Sequence, residues 1–358
     1  MVNRASGRGM ARSVKRLRAE ASVRIGTRRD RTLFTRCHAI ELRLAVPMNT
    51  SPPLRLGLVG LGKIARDQHL PAIAANPALT LVATASRNAS ADGIAAFHDL
   101  DAMLAAEPTL DAIILCQPPQ ARFTAARTAL LAGKHVFLEK PPGATLSEVQ
   151  ALDDLAAEHG LTLFASWHSR HGKAVAAARA ALATADISAV RIIWKEDVRV
   201  WHPGQDWIWQ PGGFGVFDPG INALSILTEI LPEPVRLINA TLEFPSNRAA
   251  PIAAELTMET ASGTPIAASF DFRQTGQQHW DIEIDTAAGP IILGDGGNSL
   301  TIAGTLQPTS DEGEYPALYA RFVELVRTHQ RDVDIAPLRL VADAFLVGEH
   351  RITDPFDN

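Results

Sequence analysis

Three stretches of the chain hold residue types that do chemistry. The first is Gly60-Leu61-Gly62-Lys63-Ile64-Ala65, directly after the apolar run Leu54–Val59. Between a strand and a helix, Gly60 allows the tight turn and Gly62 lets the backbone approach a pyrophosphate. Ala65 lets the helix pack closely on the strand, and the helix start adds positive potential. A tight turn without a ligand is the plainer alternative. The second is Glu139-Lys140-Pro141-Pro142, which ends the apolar run Lys134–Leu138. A lysine held between Glu and Pro at a strand end is an unusual place for a solvated charge. It suits a group that polarises an oxygen or handles a proton. The third is Asp218, four residues before Asn222 in a run from Gly215 to Leu231 that reads as a helix stopped by Pro232. At i and i+4 the two share one helix face. Near the helix start the dipole favours an ionised Asp218. The plainer alternative is a helix cap.

Such groups act only where regular elements bring them together. Leu54–Val59, Thr80–Ala85, Leu110–Leu115, Lys134–Leu138 and Leu161–Ala165 are short apolar runs. They read as buried parallel strands. Helices at Ala121–Ala132 and 145–159 alternate with them, which predicts a doubly wound Rossmann domain over 48–167. Ligands in such sheets sit at the carboxyl ends of strands, so Cys116-Gln117-Pro118 also faces the expected crevice. Cys116 reads as a small buried residue, not a nucleophile. The second strand ends in Ser86-Arg87 with no acidic residue to bind a ribose 2′-hydroxyl. A hydroxyl and a guanidinium suit a 2′-phosphate. The expected cofactor is NADP, with NAD the open alternative if Arg87 is merely solvated.

The second half reads differently. Arg236–Phe244, Ala254–Met258, Pro265–Phe272, Trp280–Thr286 and Pro290–Leu293 are strand-like runs separated by turns. They predict a large, mostly antiparallel open sheet in a second α/β domain over 168–335. Helices at Tyr315–Gln330 and Pro337–His350 are expected to pack back on the first domain, with 336–358 as a C-terminal helix and tail. Trp194, Trp201, Trp207 and Trp209 cluster in a loop-rich stretch. Aromatic faces pack on the C–H face of a sugar, and Glu196, His202 and Asp206 could bond its hydroxyls. Trp280 could close the site from the sheet side. The plainer alternative is a loop pinned by buried tryptophans.

Composition bounds the rest. The chain has 358 residues, 46% apolar and 20% charged, enough for about two ordinary globular domains. Two cysteines, Cys37 and Cys116, leave no disulfide framework and no Cys-based metal site. No metal is expected. No run approaches the roughly 20 apolar residues of a membrane span, so the expected location is the cytoplasm, without membrane or nucleic-acid partners. Residues 1–47 hold eleven Arg and one Lys against three acidic residues, a net +9 in a chain of net −5. This leader lacks an apolar signal core and interleaved aromatics. It is expected to be a dispensable, disordered extension, with Met48 as the physiological start.

The segment Gly133-Lys-His-Val-Phe-Leu-Glu139-Lys140-Pro141, with the glycine loop and the Asp111 strand, resembles the glucose–fructose oxidoreductase, inositol dehydrogenase and rhizopine catabolism superfamily. The resemblance runs from about 54 to 350. Trp167-His168-Ser-Arg170, Trp194-Lys-Glu196-Asp, Trp201-His202 and Gly212–Asn222 are similar to its sugar 1-dehydrogenases of the L-arabinose and D-galactose type. The resemblance implies oxidation of the anomeric carbon of an aldose to a lactone. It implies Lys140, Asp218 and Asn222 as the catalytic group, and His168, Glu196, Trp201, His202 and Trp280 as sugar contacts. Around the cofactor it implies Gly60, Gly62, Lys63, Ile64, Ser86, Arg87, Cys116, Gln117, Pro118, Gln120, Glu139, Lys140 and Trp167. It implies a homodimer through the open sheet. The family commonly has His where this chain has Asn222. Asn cannot titrate, so the proton falls to Asp218 or Lys140. A polyol dehydrogenase, or a sugar sensor of the same fold, remains the alternative. Retention of both Lys140 and Asp218 argues against the sensor.

Overall fold

The computed structural model describes residues 51–357. The basic stretch 1–47 and Met48 lie outside the described residues. β1 (Leu54–Val59) passes through a π-helical turn, Ala65–His69, into α1 (Leu70–Ala75). β2 (Leu79–Ala85), β3 (Ala95–Phe97), α2 (Leu100–Ala106), β4 (Ala112–Leu115), α3 (Pro119–Leu131), β5 (His135–Leu138), α4 (Leu146–His159) and β6 (Leu163–Ala165) follow. The strands form a parallel sheet of order β3-β2-β1-β4-β5-β6. β4 is buried along its whole length, as both faces of a parallel sheet are covered by helices. Strand order reverses between β1 and β4, which opens a crevice outside their carboxyl ends. Local chemistry sets the helices. α4 opens with a capping box between Thr145 and Glu148 and closes at Gly160 in the left-handed conformation.

The second layer begins with α5 (Val175–Leu182), β7 (Ile187–Lys195), α6 (Val198–Trp201) and α7 (Phe217–Ile230). β8 (Val235–Pro245), β9 (Ala253–Thr260), β10 (Pro265–Asp271), β11 (His279–Thr286), β12 (Ile291–Gly294), β13 (Ser299–Ile302) and β14 (Thr305–Leu306) continue it. α8 (Glu314–Thr328), α9 (Ala336–Val347) and β15 (Glu349–Thr353) complete the described chain. The nine strands run β14-β13-β12-β11-β7-β10-β9-β8-β15. Only β7/β10 and β8/β15 pair parallel; the rest is antiparallel. α7 is buried around almost its full circumference between this sheet and the remaining helices, as expected of a helix apolar on all sides.

Three features differ from the sequence reading. Residues 187–195 form a central strand, because Val190, Ile192 and Trp194 alternate inward. Trp194 is therefore a core residue rather than part of a loop, and Trp209 is buried as well. The chain end packs mainly on the second sheet instead of the first domain. α9 buries Leu338, Leu340, Val341 and Ala344 in the core that contains Leu224 and Leu242, and β15 pairs with β8. α8 lies on the first sheet instead: Tyr315, Leu318, Tyr319 and Phe322 pack with Leu56, Leu58 and Phe137.

Candidate active site

The glycine loop lies at the switch point. Gly60 has φ +93°, and a Cβ there would sit 3.0 Å from the Gln117 backbone nitrogen. Only glycine lets the loop pass this close to the end of β4. A Cβ on Gly62 would meet nothing within 4 Å, so that position borders open space beside the helix start. Gln117, just after β4, keeps a buried Oε1 without a partner among the described residues. A tight loop, an open cradle and an unpaired polar atom fit a dinucleotide. Lys63 pairs with Asp67 one helical turn on, and Ile64 is partly exposed beside it. Ser86 follows β2, its amide donating to the Phe97 carbonyl. Arg87 is exposed and makes no hydrogen bond or ion pair among the described residues. Cys116 and Pro118 flank Gln117, and Gln120 Nε2 donates to the Trp207 carbonyl at 3.2 Å, which ties the loop of the second layer to α3.

Lys140 follows β5 at the rim of the same crevice. Its Nζ lies 2.8 Å from the Asp218 carbonyl oxygen and 3.2 Å from Asp218 Oδ1. Asp218 stands in the first turn of α7, 5% exposed against 15% for Lys140. Among the described residues no side chain caps that helix, so the carboxylate serves the lysine rather than the helix end. Asn222, one turn on, is half-buried, and its amide makes no hydrogen bond among the described residues. A wall of polar and aromatic groups faces this pair. Glu196, 5% exposed, accepts the Trp280 indole N–H at 2.9 Å and sits 3.1 Å from His202 Nε2. His202 Nδ1 is 3.6 Å from Asp218 Oδ2. Trp201, half-exposed, meets Trp280 edge to face at 5.3 Å. Trp207 is partly buried against the core, and Asp206 is exposed and does not join the group. Of four clustered tryptophans, then, only Trp201 faces the site.

Two expected cofactor contacts lie elsewhere. Trp167 is 3% exposed, and its indole N–H is spent on the Asp334 carbonyl at 2.9 Å. It belongs to the buried apolar cluster that also holds Val175, Leu224 and Leu338. Glu139 is 3% exposed and turns away from the crevice. Its Oε2 accepts the Lys140 amide at 2.7 Å, and Oε1 accepts the Tyr315 hydroxyl at 2.7 Å and faces His69 Nε2 at 3.0 Å. His69 Nδ1 meets the Tyr319 hydroxyl at 2.7 Å. Burial opposes charge on both groups, but their polar and charged neighbours prevail. His69 rises to about 10, raised by Cys116 and Glu139, and Glu139 falls to about 2 against the His69 imidazolium. Arg122, also buried, donates to the carbonyls of Glu139, Pro141 and Gln117. Burial lowers it to about 10, so it remains a cation. His168 Nδ1 pairs with Glu314 at 2.8 Å, and its ring stacks on Tyr315 at 5.6 Å.

The sequence reading misses His69, Arg122, Glu314, Tyr315 and Tyr319. Only His69 carried a local signal, since it shares the buried helix face of Ala65, Ala72 and Ile73. The others act across sequence separations that no local pattern records.

A parallel sheet with a glycine loop at its switch point, and a buried Lys–Asp pair that joins it to a second layer, define a dinucleotide-dependent oxidoreductase. Residues 54–166 match the Gfo/Idh/MocA model, described as an oxidoreductase family with an NAD-binding Rossmann fold. The chain is 48% identical over 304 residues to galactose 1-dehydrogenase of Pseudomonas fluorescens, covering 85% of this chain and 99% of that one. It superposes on the crystal structure of a D-galactose-1-dehydrogenase from Rhizobium etli with a TM-score of 0.83 and 57% identity, over 87% of this chain and all of that one. A 3-ketoreductase from Actinomadura kijaniata, solved with NADP, shares the fold at a TM-score of 0.73 and 19% identity, over 84% of this chain and 99% of that one. The chain belongs to the Gfo/Idh/MocA family of oxidoreductases.

Proposed function

We propose that the chain oxidises the anomeric carbon of a cyclic aldose, D-galactose and L-arabinose, to the lactone, with NADP preferred over NAD. The observation that carries this reading is the Lys140–Asp218 pair at the mouth of the crevice. The names of the relatives at 48% and 57% identity support it. The bound dinucleotide supplies the hydride acceptor, nicotinamide C4. Asp218 takes the O1 proton as general base, and the Lys140 ammonium holds the developing charge on O1. Asn222 bonds a ring hydroxyl. Trp201 and Trp280 cover the apolar face of the sugar, while Glu196 and His168 orient its hydroxyls.

D-Galactose and L-arabinose share configuration at C2, C3 and C4 and differ by one CH₂OH. Discrimination of such a group is worth about 1–3 kcal/mol, so overlapping activity is expected. Ser86 and the Arg87 guanidinium, unpaired among the described residues, favour a 2′-phosphate, hence NADP. The outer face of the nine-stranded sheet, with Ile193, Thr257 and Ala267, is covered by no described element. We infer a homodimer through it, which sedimentation equilibrium checks.

The test is nicotinamide reduction, followed by absorbance, with NADP⁺ and NAD⁺ across a panel of aldoses and polyols. Turnover of D-galactose or L-arabinose supports the reading. Turnover of a polyol alone overturns the anomeric chemistry. Tight cofactor binding without any turnover points to a sensor.

A further inference from the structure

A buried carboxylate that takes a proton at every turnover must hand it on before the next. On its own helix face Asp218 has only Asn222, whose amide cannot titrate. Lys140 already occupies Oδ1 at 3.2 Å. The other oxygen, Oδ2, faces His202 Nδ1 at 3.6 Å. That nitrogen is buried and has no hydrogen-bond partner among the described residues. A buried polar atom left unpaired costs about 1–3 kcal/mol, and calls for a reason.

The surroundings of the ring supply one. Nε2 lies 3.1 Å from Glu196 Oε1, and Glu196 Oε2 is fixed by the Trp280 indole N–H at 2.9 Å. Phe272 packs against the imidazole at 5.5 Å. Glu196 follows β7, His202 follows α6 and Asp218 opens α7, so three separate elements converge on one ring. In the neutral tautomer that a relay requires, Nε2–H donates to Glu196. Nδ1 is then a bare acceptor aimed at Asp218.

We propose that His202 is a proton-relay residue, which receives at Nδ1 the proton that Asp218 removes from the sugar. This deepens, and rests on, the aldose-oxidation reading above. The C1–H bond breaks with its electron pair going to nicotinamide C4. The O1–H pair becomes the second C1–O bond of the lactone. The O1 proton passes to Asp218 and then to His202, and the imidazolium is held by anionic Glu196. On release of the lactone the proton leaves Nδ1 for water, and every side chain returns to its starting state. One proton is released for each hydride transferred.

The charged groups facing the ring are Glu196, Asp218 and Lys140. Burial and Lys140 pull the imidazole down, but the Glu196 hydrogen bond and the two carboxylates prevail and raise it. His202 is thus a stronger base than free imidazole, and it accepts protons only above its own ionisation.

The experiment is the pH profile of kcat and kcat/KM for the wild type, His202→Gln and Glu196→Gln, with KM for the dinucleotide measured alongside. The wild type is expected to show a rising limb above pH 6.5. His202→Gln is expected to lose that limb and about 10²-fold in kcat, with dinucleotide KM unchanged and added imidazole restoring part of the rate. Glu196→Gln is expected to move the limb to lower pH, because it removes the anion that stabilises the imidazolium. A wild-type limb retained in both variants overturns the relay and leaves the aldose reading intact. If His202→Gln does not fold, an unmoved limb in Glu196→Gln overturns it alone. No aldose turnover by the wild type overturns the reading and the relay together.

Discussion

Lys140 Nζ sits between the carbonyl oxygen of Asp218, at 2.8 Å, and its Oδ1, at 3.2 Å. One ammonium thus grips both the backbone and the side chain of a residue 78 positions away, joining the two layers where a substrate would lie. The pair is nearly buried, so each charge depends on the other for its solvation.

Removal of either partner should therefore abolish most of the chemistry. Lys140→Ala and Asp218→Ala are each expected to lower kcat/KM by about 10²–10⁴. Because they act as a unit, the double variant should be little worse than either single one. Steady-state kinetics on D-galactose checks both statements, and normal turnover in either single variant refutes the assignment.

Arg87 predicts the cofactor. A charge-assisted hydrogen bond to a 2′-phosphate contributes about 1.5–3 kcal/mol, so Arg87→Ala should raise KM for NADP⁺ by about 10–100-fold and hardly change that for NAD⁺. Equal effects on the two would show that the guanidinium does not read the phosphate.

The buried Glu139–His69 pair predicts how stability varies with pH. His69 is raised from 6.5 to about 10, so its contribution is complete below pH 6.5 and is lost as pH climbs toward 10. Glu139 is lowered from 4.5 to about 2, so its contribution is complete above pH 4.5 and fades as pH falls toward 2. Urea unfolding midpoints should form a plateau between these limits. His69→Gln should destabilise by about 3–5 kcal/mol at neutral pH, since it leaves a buried carboxylate unpaired, and it should flatten the alkaline decline. A decline that persists in the variant would place its cause elsewhere.

Gly215 sets the entry to α7. Its φ is +52°, and a Cβ would lie 2.2 Å from the Pro251 carbonyl oxygen. Gly215→Ala must strain or shift the turn three residues before Asp218, at a cost of about 1–3 kcal/mol. Thermal unfolding should report the loss, and kcat should fall further than KM changes if the displaced Asp218 is the base, as proposed.

The first domain was legible in sequence because its signals are local. Leu54–Val59 and the glycine loop adjoin each other, and the strand period and glycine chemistry need no distant partner. Lys140 and Asp218 were legible by residue type and position. That Asn222 stands where a titratable group is common follows only from the resemblance to the family. The tryptophan cluster misled, because Trp194 and Trp209 are close to Trp201 in the chain and only burial separates core from site. Glu139 misled in the same way: a carboxylate beside Lys140 points either at the crevice or away from it, and Tyr315 and His69 decide which.

Sequence alone thus determined the family pattern and the dinucleotide loop, since each is written in a few contiguous residues, and it singled out Lys140 and Asp218 as candidates. Tertiary structure alone brought His202 to Asp218, His69 and Tyr315 to Glu139, and α9 onto the second sheet. Those contacts depend on how the apolar faces of separate elements pack, across separations of 70 and 176 residues at Glu139, and no short stretch of chain records the burial and pairing that fix them.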